Sequence, residues 1–414
     1  MSVDVSGRTG AGPTAPDTLR STRAIRDRAA QLTERARRGE SSWFTVDDAA
    51  LAAAAALVAR VTRRRYPALD IPFHSRWRHF EAGGVDRTAM LRARLDDDQA
   101  EQARALIDLA VVSVLLDAGA GPDWSFLESD TGMRVTRSEG LAVAGWHAFV
   151  GGVFSADPDQ PLRVDATRLS ELTVAGLAAA FQADETNPLV GVDGRVELLR
   201  RLGTALTAHP DVFGEHPRPG HLYDALVSSP RTDVDAHAIL SLLLTTTSGI
   251  WLSDNVLDGV ALGDCWRHDA VRGEGSSDGW MPFHKLSQWL TYSLLEPFEW
   301  SGHRVGGMAE LTALPEYRNG GLLLDTGVIS LRDPADAHRR RQVGDELVVE
   351  WRALTITLID ELASLVRLEL DVDDTRLPLA CVLEGGTWAT GRELAGELRS
   401  GLPPLDIASD GTVF

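Results

Sequence analysis

The chain has 414 residues, 44% of them hydrophobic, and a formal net charge of -19. That length and composition suffice for a large buried core, while the excess of acid disfavours a nucleic-acid partner, whose affinity comes from cationic neutralisation of phosphate. Two cysteines, Cys265 and Cys381, stand in no Cys-x-x-Cys or Cys/His pair, so neither a zinc ribbon nor a disulfide framework is indicated, and a reducing, cytoplasmic setting fits.

Residues 1–40, rich in Ser, Thr, Arg and Gly and lacking an apolar h-region, read as a mobile N-terminal lead-in and not a secretory signal. Beyond them, residues 41–414 are expected to form a single helical catalytic body, in one piece or as two lobes with the site between them. Apolar spacing predicts helices over residues 49–61, 99–116, 169–181, 196–206, 236–244, 284–295, 346–368 and 391–398. Strand-like alternation is confined to 320–331 and 367–372, so the fold class is mainly α with a little short β. Loops are expected at 155–161, at 209–220 with its three prolines, and at the Gly/Ser run 273–279. The longest apolar run, 49–59, is about half of a membrane span and excludes one.

Residues able to carry chemistry fall in four segments. The first holds His74, Arg76, Arg78, His79, Phe80 and Glu81, interleaving cations, imidazoles and rings as a concave polar site requires; a packed surface loop with stacked arginines would use the same residues. In the second, Asp108 and Asp117 lie on an otherwise apolar helix, and a carboxylate at the helix C-terminus is a suitable proton donor or a plain solvated end.

The third segment contains Lys285, the sole lysine among 41 basic residues. Where every other cation is Arg, a surviving compact ammonium marks a position a planar fork cannot fill. Helical spacing sets Lys285, Gln288, Trp289, Tyr292 and Glu296 on one side. Pro72-Phe73-His74 recurs as Pro282-Phe283-His284, which marks two aromatic, His-bearing segments as candidates for one shared cavity. In the fourth, Pro315 and the Gly320-Gly321 pair bracket Glu316, Tyr317 and Arg318, with Asp325 following. No phosphate-cradling Gly-Lys-Ser/Thr loop and no His-Glu-x-x-His occur.

These segments resemble the uracil-catabolism (URC pathway) protein four family, formerly a domain-of-unknown-function family. The likeness rests on the strings at 71–84, 281–298, 314–327 and 409–414, and extends over nearly the whole chain after about residue 40. It implies a late step in which a ribosylurea-type intermediate is broken to release urea. A fainter resemblance is to the queuosine-salvage nucleotide N-glycosidases, helical proteins related in shape to helix-hairpin-helix DNA glycosylases. It rests on His79-Phe80, Leu116-Asp117, Asn187-Pro188-Leu189, Phe283-His284-Lys285 and Tyr317-Arg318. That second likeness implies a catalytic carboxylate just before the Tyr-Arg pair and a lysine about thirty residues earlier; here these are Glu316, one methylene longer than the family's Asp, and Lys285.

The resulting expectation is hydrolysis of an N-ribosyl bond in a small nucleoside-like or nucleotide-like substrate, without cofactor or metal and without nucleic-acid or membrane partners. Glu316 would steady an oxocarbenium-like centre, and His74, Asp117 or His79 would protonate the leaving nitrogen. His74, Arg76, Arg78, Phe80, Glu81, His284, Lys285, Gln288, Tyr317, Arg318 and Asp325 would surround the substrate. Two alternatives are a metal-dependent amidohydrolase using His74, His79 and His284, and a non-enzymatic binding or channelling protein of the same pathway.

Overall fold

A computed structural model of the chain describes residues 13–229 and 233–408; the 409–414 string of the family likeness lies outside them. Among the described residues helices dominate, and strands occur only as five two-stranded pairings. The fold class is therefore mainly α, as the apolar periodicity predicts.

The helix Glu346–Leu370 is the central post, with Val348, Leu354, Leu358 and Leu362 fully buried. Thr22–Arg37 and Ala50–Arg65 pack along it. Gln99–Leu115 is buried on nearly every side and lies against Lys285–Trp300. The all-round burial explains why its sequence reads as almost uniformly apolar rather than striped. One continuous apolar cluster extends from Ile25 to Leu405. No helix among the described residues is long and apolar enough to cross a membrane.

Several local expectations change. The lead-in expected through residue 40 is instead part of the body from Ala15 onward, because Ile25, Ala29 and Leu32 line one face of Thr22–Arg37 and are buried. Its many arginines conceal that stripe: Arg28 is itself buried, donating to the carbonyls of Ser277 and Trp280. The helix expected over 169–181 is two short ones, Ala166–Ser170 and Val174–Ala180. The alternation at 367–372 belongs to the last turn of Glu346–Leu370 and not to a strand. Within 320–331 only Ile329–Leu331 is a strand, paired antiparallel with Phe44–Val46; the preceding residues form the helix Tyr317–Asp325.

Candidate functional site

The indole of Trp289 is the hub of a polar cluster. Around its ring centroid stand the Lys285 ammonium at 5.8 Å, the Arg76 guanidinium at 5.7 Å, and the imidazoles of His79 at 5.8 Å and His74 at 6.4 Å. Trp388 flanks the same two imidazoles from another element, at 6.1 Å from His74 and 6.5 Å from His79. Cations over an indole face are attracted by the ring quadrupole, so Trp289 favours the approach of Lys285 and Arg76.

Each member has an identifiable support. Lys285 opens the helix Lys285–Trp300, one turn before Trp289, and follows His284, whose backbone is left-handed at φ 49°. That strained conformation is held by hydrogen bonds from the amides of Phe283 and His284 to the Asp264 carbonyl and by His284 Nε2 donating to the Leu19 carbonyl at 2.9 Å. Asp264 also accepts from the Lys285 amide at 3.0 Å and is paired with Arg352 through two 2.8 Å bonds. Because Arg352 Nε reaches the Pro315 carbonyl at 3.3 Å, this buried pair ties the Lys285 segment to the Glu316 segment.

Glu316 is the N-cap of Tyr317–Asp325, its two oxygens accepting from the amides of Arg318 at 2.7 Å and Asn319 at 2.6 Å. A cap needs a carboxylate or hydroxyl here, so the residue has structural work as well as chemical potential. Burial pushes its pKa up, opposed by those two amides and by Lys285 and His74. Burial likewise pushes the Lys285 ammonium down; Glu316 and Asp117, in that order, are the charges that restrain the shift. The ammonium and the two carboxylates therefore share one electrostatic neighbourhood.

Arg76 and Asp117 form a second buried pair of the cluster. Asp117 follows the end of Gln99–Leu115, meets Arg76 Nη1 at 2.6 Å and accepts from Ser138 Oγ at 2.5 and 2.6 Å. Burial pushes Asp117 up, with Arg76, Ser138 and Lys285 opposing. Arg76 itself is fully buried and is placed by the neighbouring Trp77, whose indole donates to the Ser293 carbonyl at 2.7 Å. Two buried groups of the cluster, Arg76 Nη2 and Trp289 Nε1, have no hydrogen-bond partner among the described residues. Such donors are costly when unsatisfied, and a polar ligand would supply each with an acceptor.

Not every predicted residue belongs. Phe80 is core, fully buried against Trp77. Glu81 is half-exposed and pairs with Arg78, whose other partner is Glu296 at 2.7 Å, so both Arg78 and Glu81 are committed elsewhere. His284 is turned to Leu19 and away from His74, which removes the shared cavity expected of the repeated Pro-Phe-His. Gln288 is fully buried and spends its amide on Thr312 and Phe283. Asp325 lies nine residues beyond Glu316, roughly 13 Å along the helix at 1.5 Å per residue, and is locked to Arg399 at 2.5 and 2.7 Å. Arg318 directs its guanidinium to the Gly401 carbonyl and over Tyr317, leaving Tyr317, 39% exposed, as the nearer of the two to solvent. Asp108, from the second segment, is a buried structural anion satisfied by Arg218 and the amides of Gly220 and Val164.

Two contributors are absent from the sequence expectations: Trp388 and Glu384. Both stand at the π-helical turn Leu383–Thr387 between Leu379–Val382 and Trp388–Arg399. Wide turns of this kind inside helices recur at functional sites, and the available signal is Gly385-Gly386 in a stretch otherwise apolar and helical. The run 275–279 also has the Gly-x-Ser-x-Gly spacing of a nucleophile elbow, but Ser277 is buried and occupied by Arg28 and the Glu274 carbonyl. Among the described residues no three His, Cys, Asp or Glu side chains are grouped to hold a metal ion.

Comparison with known proteins gives two kinds of match. Residues 18–414 match the family described as "Protein of unknown function (DUF1688)". Uracil catabolism protein 4 of Lachancea kluyveri is 40% identical over 380 residues, covering 83% of this chain and 85% of its own. Protein urg3 of Schizosaccharomyces pombe is 38% identical over 408 residues, covering 96% of this chain and 98% of its own.

Proposed function

The chain belongs to the uracil catabolism protein 4 (DUF1688) family, and from that membership and the cluster around Trp289 we propose that it acts in uracil catabolism by hydrolysing the N-ribosyl bond of a ribosylurea-type compound to release urea. The observation that carries the reading is the joint placement of Glu316, Lys285 and Asp117 beside two imidazoles and two indoles. Breaking C1–N develops positive charge on the ribose ring and negative charge on the leaving nitrogen. A fixed carboxylate stabilises the first, and a proton donor the second.

Glu316 is suited to the carboxylate role because its two oxygens are fixed by backbone amides yet retain further lone pairs. Lys285, with no hydrogen-bond or ion-pair partner for its Nζ among the described residues, is available to a ribose hydroxyl or a 5'-phosphate. Arg76 is too fully engaged to clamp a phosphate with more than its Nη2, and Arg78 and Arg318 face other partners, so Lys285 is the leading cation for that task.

Glu316→Gln tests the reading. Gln keeps an oxygen for one of the two capping bonds, so the fold should lose about 1 kcal/mol or less. Urea release should fall about 100-fold or more, since the charge opposite the developing cation is gone. Unchanged urea release by a folded Glu316→Gln protein would reject this role. The metal-dependent amidohydrolase reading gains no support from the three histidines, which bond Glu384, Arg76 and the Leu19 carbonyl separately.

A further inference from the structure

Two imidazoles lie side by side in the cluster, yet their Nδ1 atoms meet opposite charges. His74 Nδ1 is 2.9 Å from Glu384 Oε2. The other oxygen of that carboxylate accepts from Arg65 at 3.1 Å and from the Tyr66 hydroxyl at 3.3 Å, and the Glu384 carbonyl accepts from Arg65 as well. Burial pushes Glu384 up, but His74 and Arg65 outweigh it and hold the carboxyl below its usual range. An ionised carboxylate only accepts, so the proton of this bond resides on His74 Nδ1. His74 Nε2 makes no hydrogen bond to the described residues and is the nitrogen left to a substrate.

His79 is arranged the other way. Its Nδ1 is 2.9 Å from Arg76 Nη1, and a guanidinium only donates. Nδ1 must therefore carry a lone pair, which fixes the neutral ring with its proton on Nε2. Burial first, and then Arg76, drive the His79 pKa well below its ordinary value. Glu316 also acts on His74, and His74 itself, Arg392 and Arg78 act on His79 in the same direction as Arg76. Two neighbouring imidazoles, one with Nδ1 on a carboxylate and the other with Nδ1 on a guanidinium, are fixed in opposite tautomers and so offer different nitrogens to a substrate.

We infer that His74, oriented by Glu384, delivers the proton to the leaving nitrogen, whereas His79 stays neutral and only donates a hydrogen bond. This rests on the proposed hydrolysis. As C1–N breaks, its electron pair goes to the urea nitrogen, which takes the proton from His74 Nε2. Water forms the new bond to C1 and loses a proton to Glu316; exchange with solvent then removes that proton from Glu316 and returns one to His74. The sum is one water consumed, one urea and one ribose formed. Glu384 is a positioning residue: its carboxylate fixes the His74 tautomer and ring orientation.

The test has two arms. In the first, the full-length protein labelled with 15N-histidine is examined by long-range 15N–1H NMR, with signals assigned by their loss in His74→Gln and His79→Gln. The expected result is a proton on His74 Nδ1 and, from pH 5 to 8, a persistently neutral Nε2–H His79. A His79 that becomes doubly protonated in that range, or a His74 with bare Nδ1, overturns the inference whether or not the protein has activity. In the second arm, urea release is followed against pH for wild type, Glu384→Gln and Glu384→Asp. Removing the carboxylate releases the His74 tautomer and ring, so kcat should fall about 10- to 100-fold with KM within about threefold; Asp should restore part of the loss. A Glu384→Gln protein that loses thermal stability but keeps its kcat shows a merely structural Glu384 and overturns the positioning role. Wild type that releases no urea defeats the proposed reaction, a failure the first arm distinguishes.

Discussion

Lys285 owes its place to a chain of buried contacts: the left-handed His284, the Asp264 carboxylate on its own amide, and the Trp289 ring beneath its ammonium. A compact head fits there, and Arg would bring a wider, planar, five-donor group to a place beside the Trp289 ring and near two carboxylates. Lys285→Arg should therefore lower kcat/KM for urea release by about 10- to 100-fold, roughly 1.4–2.7 kcal/mol of transition-state stabilisation, despite preserving charge. Wild-type kinetics in that variant would count against a specific role for the ammonium. A different outcome is expected for Arg352→Met. Leaving Asp264 buried without its cation should cost about 3–5 kcal/mol of stability, read as a lower denaturation midpoint, because the same pair spans the segments bearing Lys285 and Glu316.

At the scale of elements, helical spacing found the Lys285–Trp289 pair but overextended it. Tyr292 and Glu296 do lie on the same side as Lys285, yet they are roughly 10 and 16 Å farther along the axis, and they bond the Thr312 carbonyl and Ser75 with Arg78. Periodicity gives the angle around a helix, and a site at one end uses only the first turn or two. Glu316 was legible from its place between Pro315 and the Gly320-Gly321 pair and from the family resemblance, whereas its role as N-cap of Tyr317–Asp325 was not. Glu384 was not, since its partner His74 is 310 residues away and no local pattern announces such a pairing. The π turn carrying it depends on close approach to Ala50–Arg65: a Cβ on Gly386 would overlap Thr62 Oγ1 and Val58 Cγ1. Gly386→Ala should thus destabilise the fold by about 1–3 kcal/mol and, by shifting Glu384 and Trp388, reduce activity more than its stability loss accounts for. Equal losses of activity and folded fraction in thermal and kinetic measurements would assign that turn to packing alone.

For the whole molecule, the mainly α architecture was legible because several long segments keep a helical period. The N-terminal helix was hidden, its buried stripe of Ile25, Ala29 and Leu32 lying among seven charged residues of Thr22–Arg37. Buried ionisable groups recur through the body, and one of them sets a pH dependence. Burial pushes Glu296 up to about 7, against the opposing effects of Arg78 and Ser75. The native state then holds a proton between the ordinary carboxylate range and about pH 7 that the unfolded chain has released. Stability from this group is full below about pH 4.5 and is lost as pH rises through about 7, a change of up to about 3 kcal/mol. Denaturation midpoints at pH 5 and 8 should fall more for wild type than for Glu296→Gln; equal falls would remove Glu296 as the cause.

The cluster around Trp289 is claimed to break a ribosyl–nitrogen bond using this chain's own side chains. The direct measurement is urea and ribose produced by the purified protein from ribosylurea and from its 5'-phosphate, with a strong chelator present throughout. Equimolar urea and ribose product from at least one of the two, undiminished by the chelator and absent with Glu316→Gln, is the predicted result. Tight binding of both compounds with no urea after long incubation, or activity that the chelator abolishes, would contradict it.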